Sequence, residues 1–334
     1  MTSSNFRKFL CSSALLLLIG STAHATALYV NCGTRSGGGA YSSIGAALKA
    51  LKGSEGGGAN TINVTGACYE NVLITDAIQL TITGTNGASI TDLSGDRADV
   101  LDIRNSRVTI TGMTIDAKSG VYWDAVDCEQ GSHCTLVGNT IQGGADAVGV
   151  YTTASAIITG GVLQKATSAG IWATGEVAAA GVLIQGNPLG IGVTKGGRAS
   201  ATIADPAWSP PVRAVTPTTL ANNGAGVQVF EGAQFRCAGC IIRDNGGDGI
   251  HVDVSATAAI QVAYPSNGSV LPPSITRNSG YGVYVGDLSS AAFHGPLLTV
   301  TGNGLTDVWC NATLSVSRGA VGAAGGPAYT NCSN

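Results

Sequence analysis

Charge is scarce in this chain. Only 11% of its 334 residues are charged, less than half the ~25% of ordinary soluble domains. No run of Lys or Arg occurs, which excludes a nucleic-acid binder held by phosphate contacts. No apolar stretch is long enough to span a bilayer as a helix. A Ser/His/Asp order, a Gly-rich phosphate loop and an HExxH metal motif are all missing. Hydrophobic residues make up 44%, so there is ample surface to bury and intrinsic disorder is excluded. Glycine is abundant, at 49 residues, but has no three-residue period, and collagen is excluded too.

The first residues read as an address. Arg7 and Lys8 precede an apolar stretch from Ala14 to Gly20, and Ala23-His24-Ala25 fits a small-x-small cleavage site. Residues 1–25 are expected to be a signal peptide and the protein to be secreted or periplasmic. Beyond it lie eight cysteines: Cys32, Cys68, Cys128, Cys134, Cys237, Cys240, Cys310 and Cys332. An even count in an exported chain favours disulfides. Eight cysteines allow 105 connectivities. Pairing of neighbours is the expectation: Cys32–Cys68, Cys128–Cys134, Cys237–Cys240 and Cys310–Cys332. The rival zinc reading of Cys237–Cys240 lacks a second pair at ligand spacing.

The main signal is an internal repeat. An apolar-x-apolar pattern, usually after Gly, recurs along the chain, most clearly as GVQVF at 226–230, GIHVD at 249–253 and GVYVG at 282–286. First apolar positions fall at 72, 101, 126, 148, 171, 191, 227, 250, 283 and 308. Each copy is followed by two more short apolar strands. Three strands per repeat with Gly or Asn at the corners describe one coil of a parallel β-helix. One coil cannot bury its own apolar faces, so coils stack ~4.8 Å apart and pair every strand with its neighbours. The fold expected is all-β: a single right-handed parallel β-helix of about ten coils over residues 26–317. Residues 42–52 carry apolar side chains at helical spacing and are expected to form an N-terminal capping helix. Pro-rich insertions at 204–217 and 263–273 are expected to emerge on the same side of the solenoid. The Gly/Ala-rich tail 318–334 shows no strand pattern. Asn187, Asn222, Asn245, Asn278 and Asn303 precede successive copies, where they suit left-handed turns and shared side-chain hydrogen bonds.

With these coils, the sequence resembles the right-handed parallel β-helix proteins of the pectin-lyase-like superfamily over nearly the whole mature chain. The segment YSSIGAALKAL…NTINVTGACYENVLI…LTITG is similar to the opening of pectin methylesterases, and NGGDGIHV at 245–252 to polygalacturonase repeats. The methylesterase motifs DFIFG and LGRPW are absent. The polygalacturonase series NTD, DD, GHG and RIK is absent in that order, as are the lyase signatures. The resemblance therefore implies a fold and carries over no catalytic residue.

Acidic residues crowd into one region, with nine of the 20 between 92 and 146. Asp99, Asp124 and Asp146 each sit two residues before the first inward residue of consecutive coils, and should form a column. Asp102 and Asp127 take the next outward position, and Arg104 and Glu129 the one after. Tyr122, Trp123, Tyr151 and Trp172 offer flat surfaces for sugar rings. Carboxylates one or two coils apart span the separations used in glycoside hydrolysis. The same stack of oxygens would suit Ca2+. Each Asp taken alone is read as a cap on its own backbone. A second patch gathers Asp248, His251 and Asp253 with Gln228 and Tyr284. Gly149 and Gly192 make the middle of the face bland.

Two readings stay open. One is an exported protein that interacts with polysaccharide, perceived as a monomer that grips an anionic polymer with calcium and cleaves it as a hydrolase or lyase at the acidic groove. The other is a non-catalytic structural, adhesin-like or binding β-helix.

Overall fold

A computed structural model describes residues 25–33, 39–52, 59–207, 214–295 and 297–311, and the strand Val316–Arg318. Residues 1–24 of the segment read as a signal peptide, Cys332, the tail beyond Arg318 and the middle of the first Pro-rich insertion lie outside the described residues.

The inward alternation of the repeat sets the whole architecture. In Leu101–Arg104, Leu101 and Ile103 are buried while Asp102 and Arg104 face out. Ten such strands stack in parallel into one ten-stranded sheet. Its register pairs Val72 with Leu101, Leu101 with Val126, Val126 with Val148, and so on to Val283 with Val308. These are the ten first apolar positions of the repeat, now forming one column inside the coil. Each buried Val, Leu or Ile contributes roughly 1.5–3 kcal/mol, so the column repays its regularity. The second and third strands of the coils form a 22-stranded sheet. It stays continuous because Asn60–Tyr69 turns the corner as one strand, pairing with Leu80–Gly84 and then with Ser89–Thr91. Between second and third strands the corner is tight, and Gly112 (φ 67°) and Gly138 (φ 62°) take the left-handed conformation it needs. The molecule is a parallel β-helix.

Strands before Val72 escaped the repeat pattern. Ala27–Cys32 pairs in parallel with Asn60–Tyr69 and carries no Gly-x phrase. The helix Ile44–Lys52 lies against these strands and Val72–Thr75, with Ile44 and Ala47 buried. Its first turn is capped from a distance. Glu70 Oε1 accepts from the Ile44 N–H at 2.7 Å and Oε2 from the Gly45 N–H at 3.0 Å.

The two Pro-rich insertions leave the corner that does not border the ten-stranded sheet. Ile203 and Ala204 pair back with Pro217 and Thr216, Ala263 bridges Leu271, and Ser266 donates to Asp205. Ile203, Ala238 and Ala263 form a small cluster beneath them. The described parts of both insertions attach to the second and third strands of their coils and not to the ten-stranded sheet.

Disulfides join Cys32 to Cys68, Cys128 to Cys134 and Cys237 to Cys240. Cys310 is buried and disulfide-bonded. Among the described residues no helix is long and apolar enough to cross a membrane.

The asparagines correct the sequence reading. The row is Asn187, Asn223, Asn245 and Asn278, all buried, and the half-buried Asn303, not Asn222, which is exposed. None of the five is left-handed. The residue before each one is: Gly186, Asn222, Asp244, Arg277 and Gly302 have φ of 66, 56, 56, 55 and 69°. Turn geometry and amide ladder are separate jobs on adjacent residues.

Candidate functional site

The outward residues of the ten strands line up as one row. It runs from Asp102 and Asp127 through Trp172 to His251, Tyr284 and Trp309. Chemistry concentrates at two places along it.

The first is the acidic group. Register sets Asp102 beside Asp127 and Arg104 beside Glu129 on adjacent strands. The Arg104 guanidinium joins both sides, with Nη2 2.8 Å from Asp102 Oδ2 and Nε 2.6 Å from Glu129 Oε1. Asp127 stands between them with no ion pair of its own. It is 8% exposed, and its Oδ1 is buried with no hydrogen-bond partner. Burial, followed by the negative charges of Asp99, Asp124, Glu129 and Asp102, pushes its pKa up to about 9. The Cys128–Cys134 disulfide ties this strand to the next.

Asp99, Asp124 and Asp146 do form a column, but it is turned into the stack rather than open to solvent. All three are buried. Asp99 Oδ1 accepts from the Asp124 N–H at 2.6 Å, Asp124 Oδ1 from the Asp146 N–H at 3.0 Å, and Asp146 Oδ1 from the Ala169 N–H at 2.8 Å. Each carboxyl caps the coil that follows. Burial raises Asp99 and Asp146 to about 6. Burial and the neighbouring Asp146 raise Asp124 to about 8, against the opposing bonds from the Asp146 N–H and Tyr151.

The glycines of this face are not bland. A Cβ on Gly149 would sit 2.2 Å from Asp124 Oδ2 and 2.8 Å from Tyr151 Cε2. The space above Gly149 is already filled by that carboxyl and that ring, joined by a 3.0 Å bond from the Tyr151 hydroxyl to Asp124 Oδ2. Burial and then Asp124 raise the Tyr151 phenol above its usual range. Likewise the Trp172 ring occupies the space over Gly192, 2.5 Å from where a Cβ would lie. Gly149→Val is expected to cost ~2 kcal/mol or more by overpacking. It should also break the Tyr151–Asp124 bond, seen as a lower Tm and a lower phenol pKa in ultraviolet titration. Tyr151 and Trp172 thus belong to the face. Tyr122 and Trp123, 79% and 42% exposed, sit in the turn leading to Asp124.

The second place was the weaker signal in the sequence and is well built. His251 Nδ1 lies 2.8 Å from Asp248 Oδ2, and Nε2 lies 3.9 Å from Asp253 Oδ2. Asp248 Oδ1 meanwhile accepts from the Tyr281 N–H, the same coil-capping contact seen in the column. The His251 ring stacks on Tyr284 at 4.3 Å, with Phe230 at 5.6 Å on another side. Tyr281 is tilted against Tyr284 at 5.4 Å and stacks on Trp309 at 5.9 Å. Register alone predicted His251 beside Tyr284; the rings of Phe230 and Tyr281, just outside their strands, were not part of that predicted patch.

Carboxylate oxygens of Asp99, Asp124 and Asp127 lie within 4.8 Å of one another, as do those of Asp102, Asp127 and Glu129. Such hard donors suit Ca2+. The partnerless Oδ1 of Asp127 fits a cation; Oδ1 of Asp99 and both oxygens of Asp124 are already engaged.

Fold and face define a parallel β-helix with an acidic and an aromatic cluster on one sheet. No family model matches the chain, and no curated protein matches it. Solved structures similar to it include two polysaccharide-acting enzymes. One is the A-module of the mannuronan C-5 epimerase AlgE6 of Azotobacter vinelandii, at 12% identity and TM-score 0.37 over 86% of this chain and 92% of that one. The other is pectate lyase Pel9A, at 12% identity and TM-score 0.42 over 87% and 79%. The fold assignment rests on the parallel register described above.

Proposed function

We propose that this chain is an exported polysaccharide-interacting protein. The polymer lies along the ten-stranded sheet, and Asp127 and Glu129 act on a glycosidic bond there. One observation carries the reading: a carboxyl held protonated near neutral pH, Asp127, stands beside a carboxylate fixed by an arginine, Glu129. One can give a proton to a leaving oxygen while the other attacks or stabilises the sugar cation. Their oxygens within 4.8 Å are nearer the ~5–5.5 Å of retaining hydrolysis than the ~6.5–9.5 Å of inversion. Trp172 and Tyr151 supply ring surface on the adjoining coils. Disulfides fit an oxidising compartment, secreted or periplasmic.

The second reading, a binding or adhesin-like β-helix without catalysis, is favoured by the column. Asp99, Asp124, Asp146 and Asp248 each spend an oxygen on a backbone N–H of the next coil, which is structural work.

A panel of plant, algal and bacterial polysaccharides, assayed for new reducing ends and unsaturated uronates, separates the two. On a polymer that is cleaved, Asp127→Asn and Glu129→Gln should each lower the rate ~100-fold or more, and Glu129→Gln should leave binding nearly intact. A folded Asp124→Ala/Asp127→Ala variant with unchanged binding and cleavage would falsify the acidic group as the site. Binding without cleavage of any polymer selects the second reading.

A further inference from the structure

We infer that the polysaccharide held on this face carries free amino groups, whose ammonium charge supplies the counter-ion that the face lacks. The inference rests on the functional reading above and names the substrate class of that same face.

The charge inventory is one-sided. Across the ten strands of the sheet Arg104 is the one Lys or Arg. Its guanidinium is committed to Asp102 and Glu129. At one end of the row one guanidinium, that of Arg104, serves the whole acidic group and pairs directly with Asp102 and Glu129; at the other, Asp248 and Asp253 share His251. A bare polyuronate would meet repulsion at both ends.

Asp127 adds an independent indication. Its side chain is more than nine-tenths buried, and its Oδ1 has no donor. That carboxyl lies within 4.8 Å of carboxylate oxygens on both sides, those of Asp99 and Asp124 and those of Asp102 and Glu129. A buried polar atom without a partner costs roughly 1–3 kcal/mol. An ammonium group has three donors, one for the partnerless Oδ1 of the protonated Asp127, and a charge that offsets the carboxylates around it. Sugar hydroxyls could donate to Oδ1, yet they would leave the surrounding carboxylates uncompensated.

The far end suits the same chemistry. Tyr284 and Phe230 flank His251 between Asp248 and Asp253. Carboxylates beside aromatic rings attract an ammonium by charge and by the ring quadrupole. Five coil spacings separate Asp127 from His251, ~24 Å at ~4.8 Å per coil. A polymer with a repeating positive charge can serve both ends at once, with Trp172 between them, and gains by multivalency.

The test uses affinity electrophoresis of the mature protein in gels holding one polymer each. The probes are poly-glucosamine, poly-galactosamine, their re-N-acetylated forms, and polygalacturonate with a chelator or with calcium. The expected result is retardation by a free-amine polymer, weakened ~10-fold or more by N-acetylation. Asp127→Asn and Asp248→Asn should each weaken it ~5-fold or more. Glu176→Gln, at an exposed position on the other sheet, should leave it unchanged. Equal binding of the acetylated forms, tighter binding of polygalacturonate in either buffer, or an equal loss in Glu176→Gln overturns the inference and leaves the polysaccharide reading standing. Retardation by none of these or of the panel polymers overturns both.

Discussion

Raising the pH from about 5 to about 9 in chelator-containing buffer is expected to lower the Tm by ~10 °C or more. Asp99 and Asp146 are raised to about 6, Asp124 to about 8 and Asp127 to about 9. In the unfolded chain each would titrate near ~3.9. A carboxyl with a raised folded pKa contributes stability that is complete below the unfolded value and lost as pH climbs through the folded one. The loss therefore runs through the window from about 4 to about 9, with its last part set by Asp127. Each unit between the two pKa values is worth ~1.4 kcal/mol, and roughly 2–4 °C of Tm follow each kcal/mol in domains somewhat smaller than this one. On the acid side the sign reverses. Asp92 is held down to about 2 although burial opposes it, because Ser94 and Asn71 donate to it. Asp244 is lowered to about 2 by Arg277 and, further, by Arg243. Their contribution is lost as pH falls from about 4 toward about 2, so stability should peak in mildly acidic solution. Asp127→Asn should raise the Tm at pH 9 and flatten the alkaline limb, because a neutral amide has nothing to deprotonate. Thermal unfolding followed by circular dichroism reads both effects. A Tm that is flat or rises from about pH 5 to about 9 would show that the acidic group does not carry strained carboxyls.

The same carboxyls mark where sequence reading stops. The repeat made the column of first apolar residues legible because inward Val, Ile and Leu must stack at period two, and a slip would turn each to solvent. Register then placed Asp102 by Asp127 and Arg104 by Glu129 with no further information. Nearest-neighbour pairing of cysteines held for Cys32–Cys68, Cys128–Cys134 and Cys237–Cys240 because coils keep sequence neighbours close. What the pattern could not carry was side-chain direction at the corners. Asp99, Asp124 and Asp146 turn inward because the next coil offers a backbone N–H at that point. Gly149 and Gly192 looked empty since a missing side chain does not say who fills the space; Asp124 with Tyr151, and Trp172, do. The strand Ala27–Cys32 was invisible because a single short alternating segment has no repeat to join.

Breaking the asparagine ladder at its middle is expected to be the most damaging single change outside the acidic group. Asn245 Nδ2 donates to Asn278 Oδ1 at 2.8 Å and to the Leu220 carbonyl at 3.4 Å. Its Oδ1 accepts from both the Asn223 N–H and the Asn223 amide at 3.0 and 3.2 Å. Asn245→Ala leaves those donors and acceptors stranded in a buried row, at roughly 1–3 kcal/mol for each group that finds no substitute. The expected loss is ~3–5 kcal/mol, read as a lower midpoint in urea and faster amide exchange in the coils on either side. A loss below ~1 kcal/mol would mean that water or a shift of the backbone satisfies the row. The ladder also has a direction. Each amide donates toward the C-terminus, from Asn187 to Asn223, Asn245, Asn278 and Asn303, and the last donates at 2.9 Å to Asp307. An acceptor with no need to donate belongs at the end, and a carboxylate stands there. Asp307→Asn keeps the acceptor oxygen and should cost under ~1 kcal/mol. Asn245→Asp sets acceptor against acceptor in the interior of the row, and should cost at least as much as Asn245→Ala at neutral pH, with partial recovery as the carboxyl is protonated in acid. If the two Asn/Asp exchanges proved equal in cost, the row would be a series of independent caps rather than one polarised chain.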